Sequence, residues 1–285
     1  MQNSMLERLL SFAPWKQPDP MSLSPENTPV PLFFRDLGGA DEPPIVLLHG
    51  MLGSSRNWQT AGRELAATRH VYALDLRNHG LSPHSPDMSY EAMAGDVGAW
   101  MDAQGIAEAE LVGHSMGGKV AMLLACREPE RVTSLVVVDI APKDYVWPAH
   151  RQEYTAMNAL DLTTLKSRAQ AEAEMEVLVP DWAMRKFLTT NLEREADGGW
   201  HWVVNLPVLT ASLDILESNP IREGHSYSGR TLFIRGARSR YIMPGDDRLI
   251  QAHFPKARIE TIESAGHNPH IEARELFVAT VAAFG

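Results

Sequence analysis

The chain has 285 residues, of which 44% are hydrophobic, and a formal net charge of −10 with a pI near 5.6. That length and apolar content suit one large α/β domain or one domain carrying an insertion, while the acidic field disfavours phosphate backbones and anionic headgroups, and so nucleic acid and membrane surfaces, as partners. The single cysteine, Cys126, excludes an intramolecular disulfide and a thiolate metal site, and no run of about twenty apolar residues offers a membrane span.

Met1 to Leu10 has neither a basic start nor an apolar central run, so secretion is not supported and a cytoplasmic location is expected. Residues 11–31 hold six prolines, and residues 1–30 are expected to be an extended or disordered lead-in, with Met21 an alternative start. Continuous apolar runs at Pro44–Leu48, Val71–Leu74, Ala109–Gly113, Leu135–Val138 and Thr231–Arg235 predict strands buried on both faces of a parallel sheet. Between them Asn57–Thr68, Tyr90–Gln104 and Lys119–Arg127 carry helical spacing, and Arg258–Ile262 followed by Ile271–Phe284 predicts an edge strand and a closing helix. The class is α/β.

Residues 141–227 break this rhythm. They are helix-rich, show no buried-strand pattern and hold four of the seven tryptophans, Trp147, Trp182, Trp200 and Trp202. Residues 31–140 and 228–285 are therefore expected to form the core and residues 141–227 a helical cap over the C-terminal sheet edge, where ligands sit in open α/β folds. A decorative insertion that only adds core is the alternative.

Leu111-Val-Gly-His-Ser115-Met-Gly-Gly118 ends an apolar run in G-x-S-x-G and leads at once into a helix. A sharp strand-to-helix turn holds such a serine exposed at the sheet edge, which makes Ser115 the candidate nucleophile. A serine hydroxyl needs a base, and the base needs a carboxylate to hold its tautomer. Of the eleven histidines, only His267 lies in an Ala-Gly-His loop after the last predicted strand, and it is the candidate base. Asp139 closes Val136-Val-Val-Asp139 on the strand after the nucleophile helix, where a carboxylate demands a partner. It is the candidate acid, with Asp246 or Asp247, at a predicted helix start, as the alternative.

Oxyanion donors are expected from the backbone N–H of Met116, after the nucleophile, and of Met51, after Leu47-Leu-His-Gly50. His49 is expected to brace that loop, His114 to pack beside the turn, and Asp75 and His79 to belong to a structural turn. No metal or organic cofactor is required.

Leu48-His-Gly-Met-Leu-Gly-Ser-Ser-Arg-Asn-Trp58, Asp75-Leu-Arg-Asn-His-Gly-Leu-Ser82, Val112-Gly-His-Ser-Met-Gly-Gly-Lys119 and Val138-Asp-Ile-Ala-Pro142 together resemble the α/β-hydrolase superfamily. The likeness is to its small bacterial acyl-ester and acyl-thioester hydrolases and the related mitochondrial abhydrolase-domain proteins, over about residues 31–285. The resemblance implies the α/β-hydrolase fold and a carboxylesterase acting on short to medium acyl esters or thioesters through an acyl-enzyme. It carries the acid onto Asp139, in agreement with Ser239 standing where most members of the superfamily have aspartate after the strand ending at Arg235. Asn268-Pro269 replaces the aromatic often found after the base. Two rivals share the fold: a menaquinone-pathway type of carbon–carbon lyase, for which Arg56 and Lys119 are candidate pocket cations, and a non-catalytic ligand-binding protein. A haloalkane dehalogenase needs a carboxylate nucleophile, against which Ser115 argues.

Overall fold

The computed structural model describes residues 28–40 and 43–285. The lead-in expected over residues 1–30, apart from residues 28–30, and the alternative start at Met21 lie outside the described residues. The strands are β1 (Phe34–Gly38), β2 (Ile45–Leu48), β3 (Val71–Leu74), β4 (Ala109–His114), β5 (Val132–Val138), β6 (Leu192–Arg194), β7 (Trp200–Trp202), β8 (Arg230–Gly236) and β9 (Ala257–Ile262). Seven of them make one sheet in the order β1-β3-β2-β4-β5-β8-β9. β1 runs antiparallel to β3, and every other pairing in that sheet is parallel.

The apolar runs follow from burial on both faces. Val46, Leu48, Leu111, Leu135 and Val137 point into the core shared with α2 (Tyr90–Gln104) and α3 (Met116–Arg127). Their alternates Leu47, Val112, Val136 and Val138 point into the core shared with α1 (Gln59–Leu65) and α11 (Arg274–Phe284). A period-two strand covered on both sides reads as continuously hydrophobic.

The differences from the sequence expectation have local causes. β1, Phe-Arg-Asp-Leu-Gly, is half-exposed and lacks an apolar run. The helix expected over Asn57–Thr68 is split, because Ser54 and Asn57 form a reciprocal cap that closes a single 3-10 turn at Ser55–Trp58 before α1 begins. α3 starts at Met116 rather than Lys119 and takes in Gly117 and Gly118. The closing helix is interrupted at Ala273, leaving α10 (Pro269–Glu272) ahead of α11.

Between β5 and β8 the chain leaves the sheet through α4 (Pro148–Ala159), α5 (Arg168–Met175), α6 (Trp182–Thr189), the β6–β7 hairpin, α7 (Leu206–Ala211) and α8 (Leu213–Glu217). The hairpin adds two strands to a segment expected to be helical; at three residues each and largely half-buried, they are too short to print an apolar pattern. The insertion is fastened to the core by Asn191 Nδ2 donating to Leu52 O at 2.9 Å, Tyr90 Oη donating to Leu216 O at 2.6 Å and Asn205 N donating to Asn78 O at 3.0 Å. Among the described residues no helix is long and apolar enough to cross a membrane.

Gly113 and Gly117 let the end of β4 and the start of α3 pass in contact with each other and with β2. A Cβ on Gly117 would stand 2.5 Å from Leu48 O and 2.6 Å from His49 O, and one on Gly113 would stand 2.3 Å from Gly117 O. In an open helix alanine is favoured over glycine by about 1 kcal/mol; here backbone overlap outweighs that gain. Gly117→Ala is expected to lower stability by about 1–3 kcal/mol, read from urea unfolding, and a raised midpoint would contradict the close approach.

Candidate active site

All the candidate side chains leave the C-terminal edge of the sheet. Ser115 sits between β4 and α3 with φ 50° and ψ −117°, a conformation costing a non-glycine residue on the order of 1–3 kcal/mol. The turn is held by Ser115 N donating to Val138 O at 3.1 Å and Gly117 N donating to His49 O at 3.1 Å. Asp139 follows β5, also at positive φ (53°), and its side chain is fully buried. His267 lies in the loop after β9.

The structure brings Asp139 and His267 together, with His267 Nδ1 2.8 Å from Asp139 Oδ2. Gly236 N donates to Asp139 Oδ1 at 3.0 Å, and Ser239 Oγ donates to Asp139 Oδ2. The buried carboxylate thus has three donors, contributed by the ends of β8 and β9. Asp246 and Asp247 do not join this group. Asp246 accepts from Met243 N at 2.7 Å and pairs with Lys143 at 2.6 Å, as a carboxylate at a helix start does, and Asp247 is exposed.

Ser115 shares a narrow crevice with Met51, Met116, Tyr90, Ile140, Tyr145, Leu216 and Tyr241. Tyr241 also stacks on the His267 imidazole, with centroids 3.7 Å apart. His114, next to Ser115, donates from Nε2 to His267 O at 2.8 Å. The tryptophans of the insertion do not line this crevice; Trp147 stacks behind Tyr241, and Trp182 is 62% exposed.

The loop carrying Met51 is braced by two histidines. His49 donates from Nδ1 to Gly50 O at 2.8 Å and accepts from Leu76 N at 2.9 Å on Nε2. His79 accepts from Leu52 N at 3.2 Å and donates from Nδ1 to Arg77 O at 2.9 Å. Asp75 accepts from Ser55 N at 2.6 Å and Leu81 N at 2.8 Å, so the Asp75–Ser82 turn is structural, and Arg77 grips Asp96 with Nε and Nη2 at 2.6 and 2.7 Å. Met116 N, in the first turn of α3, is one of the amides a helix leaves without an intrahelical acceptor.

Burial disfavours the charged form of the surrounding histidines. His79 and His270 are pushed down to about 3, and His49 and His114 are also lowered, in each case chiefly by desolvation. Imidazoles that resist protonation are poor general bases near neutral pH. His267 differs in having a carboxylate on Nδ1 and a side chain 27% exposed.

A family model described as the alpha/beta hydrolase fold matches residues 43–274. The chain belongs to this family. A mouse relative, the sn-1-specific diacylglycerol lipase ABHD11, is 39% identical over 264 residues, 90% of this chain and 85% of its own length. The esterase YbfF of Escherichia coli is 38% identical over 80% of this chain and 87% of its own. A solved marine microorganism esterase superposes with a TM-score of 0.86 at 34% identity, covering 90% of this chain and 100% of that one.

The sequence reading missed Ser239 as a partner of Asp139, although serine where the acid is usual was the available signal. It also missed Tyr241, in the loop after β8, and His150 and Glu217, which the insertion brings to the crevice; all three are remote from the motifs. Of the two candidate pocket cations, Arg56 lies in a separate polar cavity beside Glu193, whereas Lys119 is buried in the Ser115 crevice. Its ammonium donates to Glu217 O at 3.1 Å and Ser218 O at 2.5 Å and lies 5.0 Å from the Tyr145 ring centroid.

Desolvation lowers the Lys119 pKa to about 7. In the unfolded chain lysine titrates near 10.4, so between the two values the unfolded state binds more protons and stability rises with pH. Below about 7 the burial penalty is fully present, on the order of a few kcal/mol. The Tm of Lys119→Met relative to wild type is expected to be highest near pH 6 and to decline toward pH 10; a pH-independent difference would show that the ammonium is not desolvated.

Proposed function

We propose that the protein is a serine carboxylic ester hydrolase acting on short to medium acyl esters, with Ser115 as nucleophile, His267 as base and Asp139 as acid. The observation that carries this reading is the buried Asp139–His267 hydrogen bond of 2.8 Å at the sheet edge that presents Ser115 in a strained turn. With Nδ1–H committed to Asp139, Nε2 is left to take the Ser115 proton as Oγ attacks the carbonyl carbon. The Met51 and Met116 amides stabilise the resulting oxyanion. Nε2–H then protonates the departing alcohol, and a water, deprotonated by the same nitrogen, releases the acid from the acyl-enzyme. Asp139 holds the imidazole orientation throughout.

Met51, Met116, Ile140 and Leu216 give the crevice an apolar side suited to an acyl chain, while Lys119, His150 and Glu217 line it as well. Residues 141–227 act as a cap that adds Tyr145, His150, Leu216 and Glu217 to the crevice wall. The names of the compared relatives, a diacylglycerol lipase and two esterases, support ester hydrolysis over the lyase and over a non-catalytic binding role. The lyase reading also loses Arg56 from the Ser115 site.

Turnover of p-nitrophenyl esters and labelling by a fluorophosphonate probe test the assignment. Ser115→Ala is expected to abolish labelling and, like Asp139→Asn, to reduce kcat by about a thousandfold or more. The double variant Asp246→Asn/Asp247→Asn is expected to stay within a few-fold of wild type. Wild type that neither labels nor turns over any ester would overturn the hydrolase reading, and full activity in Asp139→Asn would overturn the acid.

A further inference from the structure

The Asp139 bond fixes one nitrogen of His267 but leaves the ring plane to be set by what lies against its faces. Tyr241 covers one face at 3.7 Å, with an interplanar angle of 14°. Trp147 stacks on Tyr241 at 4.5 Å and 22°, so Trp147, Tyr241 and His267 form one run of rings from the insertion to the candidate base. Isolated aromatic contacts are ordinary core packing. This run is anchored at each level by polar bonds.

Arg151 Nη1 donates to Glu217 Oε2 at 2.6 Å, and Trp147 N donates to Glu217 Oε1 at 3.2 Å. His150 Nδ1 lies 3.0 Å from Glu217 Oε1. Burial opposes ionisation of Glu217, yet these donors together hold its carboxyl below the usual range, so His150 donates from Nδ1. Desolvation disfavours the imidazolium of His150, so its Nε2 is an acceptor, and the Tyr241 hydroxyl donates to it at 3.0 Å. The Tyr241 backbone is held as well: its N–H donates to Ser239 Oγ at 3.2 Å, and its carbonyl accepts from Tyr145 Oη at 2.7 Å. Ser239 in turn donates to Asp139.

We propose that Tyr241 is a positioning residue for His267: its ring, clamped between Trp147 and the imidazole and tied through His150 to Glu217, fixes the plane of the base and faces the positive charge that develops on it. This rests on His267 being the base. An imidazole that gains a proton during acyl transfer places a cation against an electron-rich ring face, an attraction made in the transition state and absent from the neutral ground state. Removing the ring should therefore lower kcat more than it changes KM. It also follows that the insertion must be docked through Trp147 for the base to be aligned.

The experiment is steady-state kinetics on p-nitrophenyl esters for wild type, Tyr241→Leu, Tyr241→Phe and Trp147→Leu, with Tm measured for each. Tyr241→Leu is expected to lose about 10- to 50-fold in kcat with KM within about threefold. Tyr241→Phe, which keeps the stack and loses the His150 bond, should recover most of that loss, and Trp147→Leu, at the far end, should fall between. The fluorophosphonate labelling rate should follow the same order, because it needs the same base. A Tyr241→Leu enzyme with wild-type kcat, a loss confined to KM, or a Phe variant as impaired as the Leu variant would overturn the proposal. If Tyr241→Leu does not fold, the Phe and Trp147 variants decide it: wild-type kcat in Trp147→Leu overturns it. Wild type without turnover defeats the hydrolase reading itself, whereas active wild type with indifferent variants defeats only this inference.

Discussion

A carboxylate shut away from water must be met by donors, and Asp139 organises the site because it imposes that requirement where three strands end. β5 delivers the carboxylate, β8 supplies Gly236 N and, just beyond it, Ser239 Oγ, and β9 leads into the loop that supplies His267. An unpaired charge in this position would cost several kcal/mol. Satisfying it orients the imidazole, so the same bonds that make the burial tolerable also select the tautomer a serine nucleophile needs. The Asp246 carboxylate a few residues along the chain is taken up by Lys143 and Met243 N.

Close packing supplies the other half of the geometry. Gly113 and Gly117 allow β4 and α3 to meet within backbone contact distance of β2, and that contact forces Ser115 into its strained turn. Around it, burial disfavours the charged forms of His49, His79, His114 and His270, and the first three act as hydrogen-bonding spacers. Lys119 is the one lysine or arginine among the residues that line the crevice. Its ammonium ties the end of α8 to the nucleophile's helix, so the insertion and the core are joined within the site itself.

Much of this was legible along the chain because local physics dictated it. Five strands of the main sheet were visible as apolar runs since both faces are covered, β9 as an edge strand ahead of the closing helix, and Ser115 since only a glycine-flanked turn fits there. Asp139 was legible because a carboxylate ending Val136-Val-Val has no reason to be there without a partner. β1 was not legible, being half-exposed and bonded on one side to β3, nor was the β6–β7 hairpin, whose strands are three residues long. The aromatic neighbour of His267 is not local to it, since Asn268-Pro269 follows that residue; it is Tyr241, in the loop after β8.

The residues alone determined the α/β class and the sharp turn at Ser115, and singled out His267 and Asp139 as candidates that the fold pairs, because periodicity, glycine spacing and the cost of a buried charge act within a few residues of one another. Only the tertiary structure decided that Ser239 supports the acid, that Lys119 and not Arg56 enters the crevice, and that Trp147, Tyr241, His150 and Glu217 converge on His267. Those contacts join positions up to about a hundred residues apart. Nothing local to any one of them specifies its partner; the choice is made by how the insertion folds back across the strand ends.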